Sequence, residues 1–98
     1  MFDRVEGFDW DDGNSRKSLL KHGVTQQESE QVLLNEPVAV TVDAAHSQAE
    51  PRYHAVGRTD AGRLVHVTFT LRMNGTRIRV VSARSASRRE RKVYDEKA

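Results

Sequence analysis

The stretch Arg63–Leu71, "RLVHVTFTL", repeats its apolar residues with period two. Successive side chains of a strand point to opposite faces, so this period specifies a strand and excludes a helix. Val65, Val67, Phe69 and Leu71 then share one face, and Leu64, His66, Thr68 and Thr70 share the other. The segments "TDAG" and "RMNGT" on either side carry Asp, Asn and Gly, as tight hairpin turns require. Arg52–Arg58, Arg63–Leu71 and Arg77–Ala83 therefore form an antiparallel meander. In the last of these, Ile78, Val80 and Ser82 stand opposite Arg77, Arg79 and Val81. Val38–Val42, "VAVTV", is rich in β-branched residues and supplies a fourth strand. The longest loop is Asp43–Pro51.

Such a sheet needs cover, and the flanking sequence provides helices. Asp11 or Asp12 is a good N-cap, and Gly23 suits a left-handed stop. They bound a helix near 13–22 with Leu19 and Leu20 as apolar anchors and Phe8 and Trp10 beneath it. Thr25–Glu28, "TQQE", is a capping box for a helix near 26–35, with Val32 and Leu33 inward and Pro37 forbidding continuation. Ser87–Glu90, "SRRE", is a second capping box, opening a helix that runs to about Glu96 with Val93 and Tyr94 as contacts. The expected fold class is α+β: one domain over 1–98, with two N-terminal helices, a four-stranded antiparallel sheet and a C-terminal helix.

The cations are unevenly placed. Residues 1–50 hold four Lys/Arg against ten Asp/Glu, a net −6, and residues 51–98 hold twelve against four, a net +8. Arginine dominates the basic half, which suits forked contact to phosphate or carboxylate. A polyanion or an acidic protein is the partner this implies, and a solvated surface is the plain alternative. There is no cysteine, and so no thiolate metal site or disulfide. His46 and His66 lack metal-ligand spacing with any carboxylate pair, so neither metal nor other cofactor is expected. No apolar run spans a membrane, and "MFDRVEGFDW" lacks a signal-peptide core. The expected location is the cytoplasm.

Three segments, "FDWDDGNSRKSLLKHGV", "R…VGRTDAGRLVHVTFT" and "RIRVVSARSASRRERKVY", resemble the BrnT family over roughly residues 8–94. These are ribonuclease toxins of type II toxin–antitoxin systems, with a fold similar to the RelE-like toxins. The resemblance implies metal-independent RNA cleavage and neutralisation by a BrnA-like antitoxin with a ribbon-helix-helix part. It further implies a two-toxin, two-antitoxin complex that binds operator DNA through the antitoxin. Gly13 stands where the family commonly has a lysine, which should fray the first helix.

RNA cleaves when its 2′-hydroxyl attacks the adjacent phosphate. A catalyst must move two protons and stabilise charge on the phosphorane. Lys21 and His22, at the end of the first helix, are expected as phosphate clamp and proton-exchanging group; both would also complement the helix dipole. Arg52 and Arg58 are six apart on one strand, so they share a face with His54 as a row of donors to RNA. Arg84 ends the last strand, and Ser87 opens the final helix, whose free N–H groups attract anions. Arg84, Ser87 and Arg88 would enclose a phosphate there. Tyr94 is expected to be a packing anchor. The rival to a ribonuclease is a non-catalytic module that binds nucleic acid or antitoxin as a co-repressor.

Overall fold

The structure is a computed structural model describing residues 2–47 and 50–97. In chain order it contains β1 (Gly7–Phe8), α1 (Asp12–Ser15), α2 (Lys17–His22), α3 (Gln26–Leu34) and β2 (Ala39–Val42). A 3-10 turn (Ala44–His46) follows, then β3 (Arg52–Arg58), β4 (Leu64–Arg72), β5 (Arg77–Ser85) and α4 (Arg88–Lys97). Gln48 and Ala49 of the expected loop lie outside the described residues.

The meander forms as expected, with β2 to β5 antiparallel in the order β5-β4-β3-β2. Met73, Asn74 and Gly75 take positive φ values of 51°, 59° and 84° at the β4–β5 turn, matching the twist of the strands they join. The sheet has five strands, however, and it is mixed. Gly7–Phe8 runs parallel to Arg77–Ile78 along the outer side of β5. Two residues are too few to display a period, which is why sequence alternation does not reveal this strand.

One face of the sheet carries the main core. Val65, Val67, Phe69, Ile78 and Val80 pack there with Val24, Val32 and Leu33, all at most 2% exposed. Gly57 lets α3 approach β3: a Cβ at that position would stand 2.8 Å from the Val32 carbonyl oxygen.

The first helix departs from expectation in two ways. It opens with a capping box between Asp11 and Asn14 and breaks at Arg16 into α1 and α2. Its inward residues are also Asn14 and Ser18, while Leu19 and Leu20 are exposed. The cause lies in β5. Beyond Ile78 its outer edge has no strand partner, and bare edge backbone must be satisfied. Asn14 donates to the Val80 carbonyl at 3.0 Å, and Ser18 Oγ accepts the Ala83 N–H at 2.8 Å.

The expected alternation of β5 also fails at Ser82. Thr68 pairs with Ser82 but Phe69 pairs with Val80, so Val81 is an extra residue in a β-bulge. The phase therefore changes. Ala83 joins the core at 0% exposure, and Arg84 is carried to the opposite face, in register with His66. That opposite face is covered by α4, through a smaller cluster of Leu64, Ala86 and Tyr94.

Candidate functional site

The face beneath α4 is polar and is arranged in rows by the register. Arg52, Thr70 and Arg79 form one row, and His54, Thr68 and Ser82 the next. Val56, His66 and Arg84 form a third, and Arg58 and Leu64 a fourth. The expected placing of Arg52, His54 and Arg58 on one face holds. Six steps along the strand separate the two arginines by about 20 Å. They cannot grip one phosphate, but they can contact a strand at separate points. Tyr94 is the expected anchor: it is buried, its hydroxyl donates to the Pro37 carbonyl at 2.9 Å, and the Arg58 guanidinium lies 5.6 Å from its ring centroid.

The enclosure expected from Arg84, Ser87 and Arg88 is filled from within. Arg84 makes a bidentate pair with Glu90, with Nη1 to Oε1 and Nη2 to Oε2 both at 2.8 Å. Glu90 Oε1 also accepts the Ser87 N–H at 2.8 Å, and Ser87 Oγ accepts the Glu90 N–H at 3.2 Å. The capping-box carboxylate thus takes the position that the helix terminus and Arg84 offer to an anion. Arg88 is exposed and takes no part in this pair. Glu90 and the Ser85 carbonyl engage three of the five guanidinium N–H donors of Arg84. Its side chain is 41% exposed, so the remaining donors can meet a second acceptor.

Arg84 beside Glu90, assisted by the Ser87 N–H against the opposing effect of burial, holds the Glu90 carboxyl at about 2, from an ordinary 4.5. A depressed carboxylate adds stability above its unfolded value, and that stability is lost as pH falls through the folded value. Glu90→Gln is therefore expected to cost about 2 kcal/mol at pH 7, allowing for solvent screening. The gap between wild type and variant should narrow as pH falls from 4.5 towards 2. Denaturant titrations of both proteins between pH 3 and pH 8 check this, and a gap independent of pH contradicts it.

Beside this pair lies a cleft of about 270 Å3 between α4 and strands β2 to β4, lined by His54, His66, Glu90 and Tyr94 among others. His54 Nε2 is 3.0 Å from Asp43 Oδ2, and its Nδ1 is 3.0 Å from Thr68 Oγ1. His46 Nδ1 approaches the same Asp43 carboxylate at 2.9 Å. Burial raises the Asp43 carboxyl, but its bonds to His46 and His54 outweigh this and hold it below its ordinary value. His66 is 8% exposed, with Nε2 3.6 Å from Glu90 Oε2. Its ring centroid lies 5.0 Å from that of His54.

Lys21 and His22 are exposed at the end of α2. Arg63 ties this end of α2 to the end of β5: it donates to the Gly23 carbonyl at 2.9 Å and to Ser85 Oγ at 2.8 Å, and pairs with Glu28 at 3.3 Å. Lys21 and His22 are thereby held at the end of the sheet that bears Arg58 and Arg84. The two charged halves partly neutralise each other. Asp9 and Asp11 reach Arg79, and Asp9 and Glu50 reach Arg72. Arg52, Arg58, Arg88 and Arg89 have no carboxylate partner among the described residues.

Sequence reasoning missed Asp43, His66 and Glu90. The signal for Glu90 was present in the capping box itself. Asp43 reaches His54 through the register of β2 and β3, and His66 meets Arg84 through the bulge.

The family model described as "Ribonuclease toxin, BrnT, of type II toxin-antitoxin system" matches residues 10–90. The crystal structure of the Brucella abortus ribonuclease toxin BrnT superposes with a TM-score of 0.58 at 24% identity, covering 84% of this chain and 97% of that one. That likeness establishes a shared fold. No curated protein sequence matches this chain.

Proposed function

The chain belongs to the BrnT family of type II toxin–antitoxin ribonuclease toxins, and from this premise we propose that it is an endoribonuclease that cleaves RNA without a metal ion. The observation that supports it most is the Arg84 guanidinium, carried by the bulge onto a polar face beside a cleft with two histidines. A fixed guanidinium next to proton-exchanging groups is what an in-line attack on phosphate needs.

In this reading Arg84 and Arg58 contact the reacting phosphate and its neighbour, with Lys21 at the same end of the sheet. Arg52 holds the RNA farther along β3, His54 contacts it in the cleft, and Ser87 and Arg88 border its path at the start of α4. The Glu90 carboxylate holds Arg84 in place until a phosphate competes for it. The ring of His22 has no hydrogen-bond partner among the described residues, and we do not assign proton transfer to it. The active chain requires neutralisation, and a type II system implies an antitoxin partner. We propose a BrnA-like protein with a ribbon-helix-helix part, in a two-toxin, two-antitoxin complex that binds operator DNA. Action on cellular RNA places the chain in the cytoplasm. Among the described residues no helix is long and apolar enough to cross a membrane.

Expression in growing cells tests the reading. Wild type is expected to arrest growth and degrade RNA, and the Arg58→Ala/Arg84→Ala double variant to do neither. Equal growth with intact RNA in both would contradict it and favour a non-catalytic binding module.

A further inference from the structure

Resting on the ribonuclease reading, the structure assigns its proton transfers to the two histidines that face each other beneath α4, His54 as the acid and His66 as the base. Three features of the fold support the pair. Both rings line one cleft, with centroids 5.0 Å apart. Arg84 is the register neighbour of His66, so a guanidinium stands beside the same space. Each ring is oriented by its surroundings: His54 by Asp43 and Thr68, His66 by burial and Glu90. A free histidine on a helix end, such as His22, has none of this.

The roles follow from the neighbours. The Asp43 carboxylate can only accept, so His54 Nε2 carries a hydrogen. The acid role falls to His54 because this carboxylate stands 3.0 Å from its ring, with the second ring nitrogen 3.0 Å from Thr68 Oγ1. His66 faces Arg84 from β5, His54 from β3 and Glu90 from α4. Its burial lowers its proton affinity, Glu90 opposes this, and Arg84 and His54 add to the lowering. His66 is thus neutral and free to accept.

The chemistry balances within the RNA. His66 takes the proton of the 2′-hydroxyl and O2′ bonds to phosphorus. The P–O5′ bond breaks, and the departing O5′ takes the proton from His54. The products are a 2′,3′-cyclic phosphate and a 5′-hydroxyl, with no oxidant, reductant or added reactant.

A leaving-group experiment tests this assignment. The purified full chain, His54→Gln and His66→Gln are given a short RNA, and the same RNA with sulfur in place of the bridging 5′ oxygen. A thiolate leaves without needing a proton. His54→Gln is expected to lose about 100-fold or more on the ordinary RNA and to recover most of it on the sulfur RNA. His66→Gln is expected to lose a similar factor on both. A cooperative thermal unfolding transition within a few degrees of wild type shows that each variant is folded. If a variant fails that check, His54→Asn or His66→Asn replaces it. The assignment is overturned if the wild type cleaves while both variants cleave within threefold of it, or if sulfur does not restore His54→Gln. A loss at His22→Gln with none at His54 or His66 also overturns it. A wild type that cuts neither RNA removes the ribonuclease reading itself, and the assignment with it.

Discussion

Replacing Arg84 with alanine is expected to lower RNA cleavage by about 100- to 1,000-fold, the usual effect of losing one fixed donor to a developing charge. Two effects combine at this side chain. The phosphorane loses a guanidinium, and Glu90 loses the partner that holds both of its oxygens at 2.8 Å. A comparison separates them. Glu90→Gln also breaks the charged pair, yet it keeps the guanidinium on the active face. It should therefore cost stability with a far smaller effect on cleavage. Arg84→Lys keeps the charge but loses the fork, and is expected to fall between wild type and alanine. Rates of cleavage of one defined RNA, measured for all four proteins well below their melting temperatures, give the comparison. Equal losses in Arg84→Ala and Glu90→Gln would mean that Arg84 acts only by fastening α4.

The largest effect on the fold is expected at Phe69. Its side chain is fully buried, 5.3 Å from the Tyr53 ring in a stacked arrangement and 5.9 Å from Phe2. Phe69→Ala removes those contacts and leaves a cavity, at a cost of about 3–5 kcal/mol. A small domain has roughly 5–15 kcal/mol in total, so this is a large share of the whole. For a chain of this length it corresponds to a melting temperature roughly 15–30 °C lower. Phe69→Leu keeps most of the volume and should lose less than half as much. Calorimetry on the three proteins decides the matter, and a Phe69→Ala shift under about 5 °C would show that the core collapses around the gap.

The same residue shows why so much of the fold was legible in the chain. Phe69 belongs to a period-two run between two turns with Asp, Asn and Gly, and local steric rules determine both kinds of feature. The three capping sites are legible for the same reason, since a cap is a contact between residues three apart. What could not be read depends on distant partners. β1 exists because β5 has an open edge beside it. Asn14 and Ser18 face inward, in place of Leu19 and Leu20, because the same edge needs hydrogen bonds. The site follows this division. The row of Arg52, His54 and Arg58 is a matter of parity along one strand and was foreseeable. The meeting of His54 with His66 depends on register between strands, and that of Arg84 with His66 depends also on a bulge at Val81. Glu90 could have been found: a capping box that opens three residues after an arginine sets a carboxylate within reach of it.

We propose that this chain itself breaks RNA by in-line attack of the 2′-hydroxyl, with no metal ion. The most direct measurement incubates the purified protein with an end-labelled RNA in the presence of a strong chelator and identifies the new ends. Undiminished cleavage yielding 2′,3′-cyclic phosphate and 5′-hydroxyl ends is the predicted result. Intact RNA, cleavage abolished by the chelator, or products with 5′-phosphate ends would contradict it.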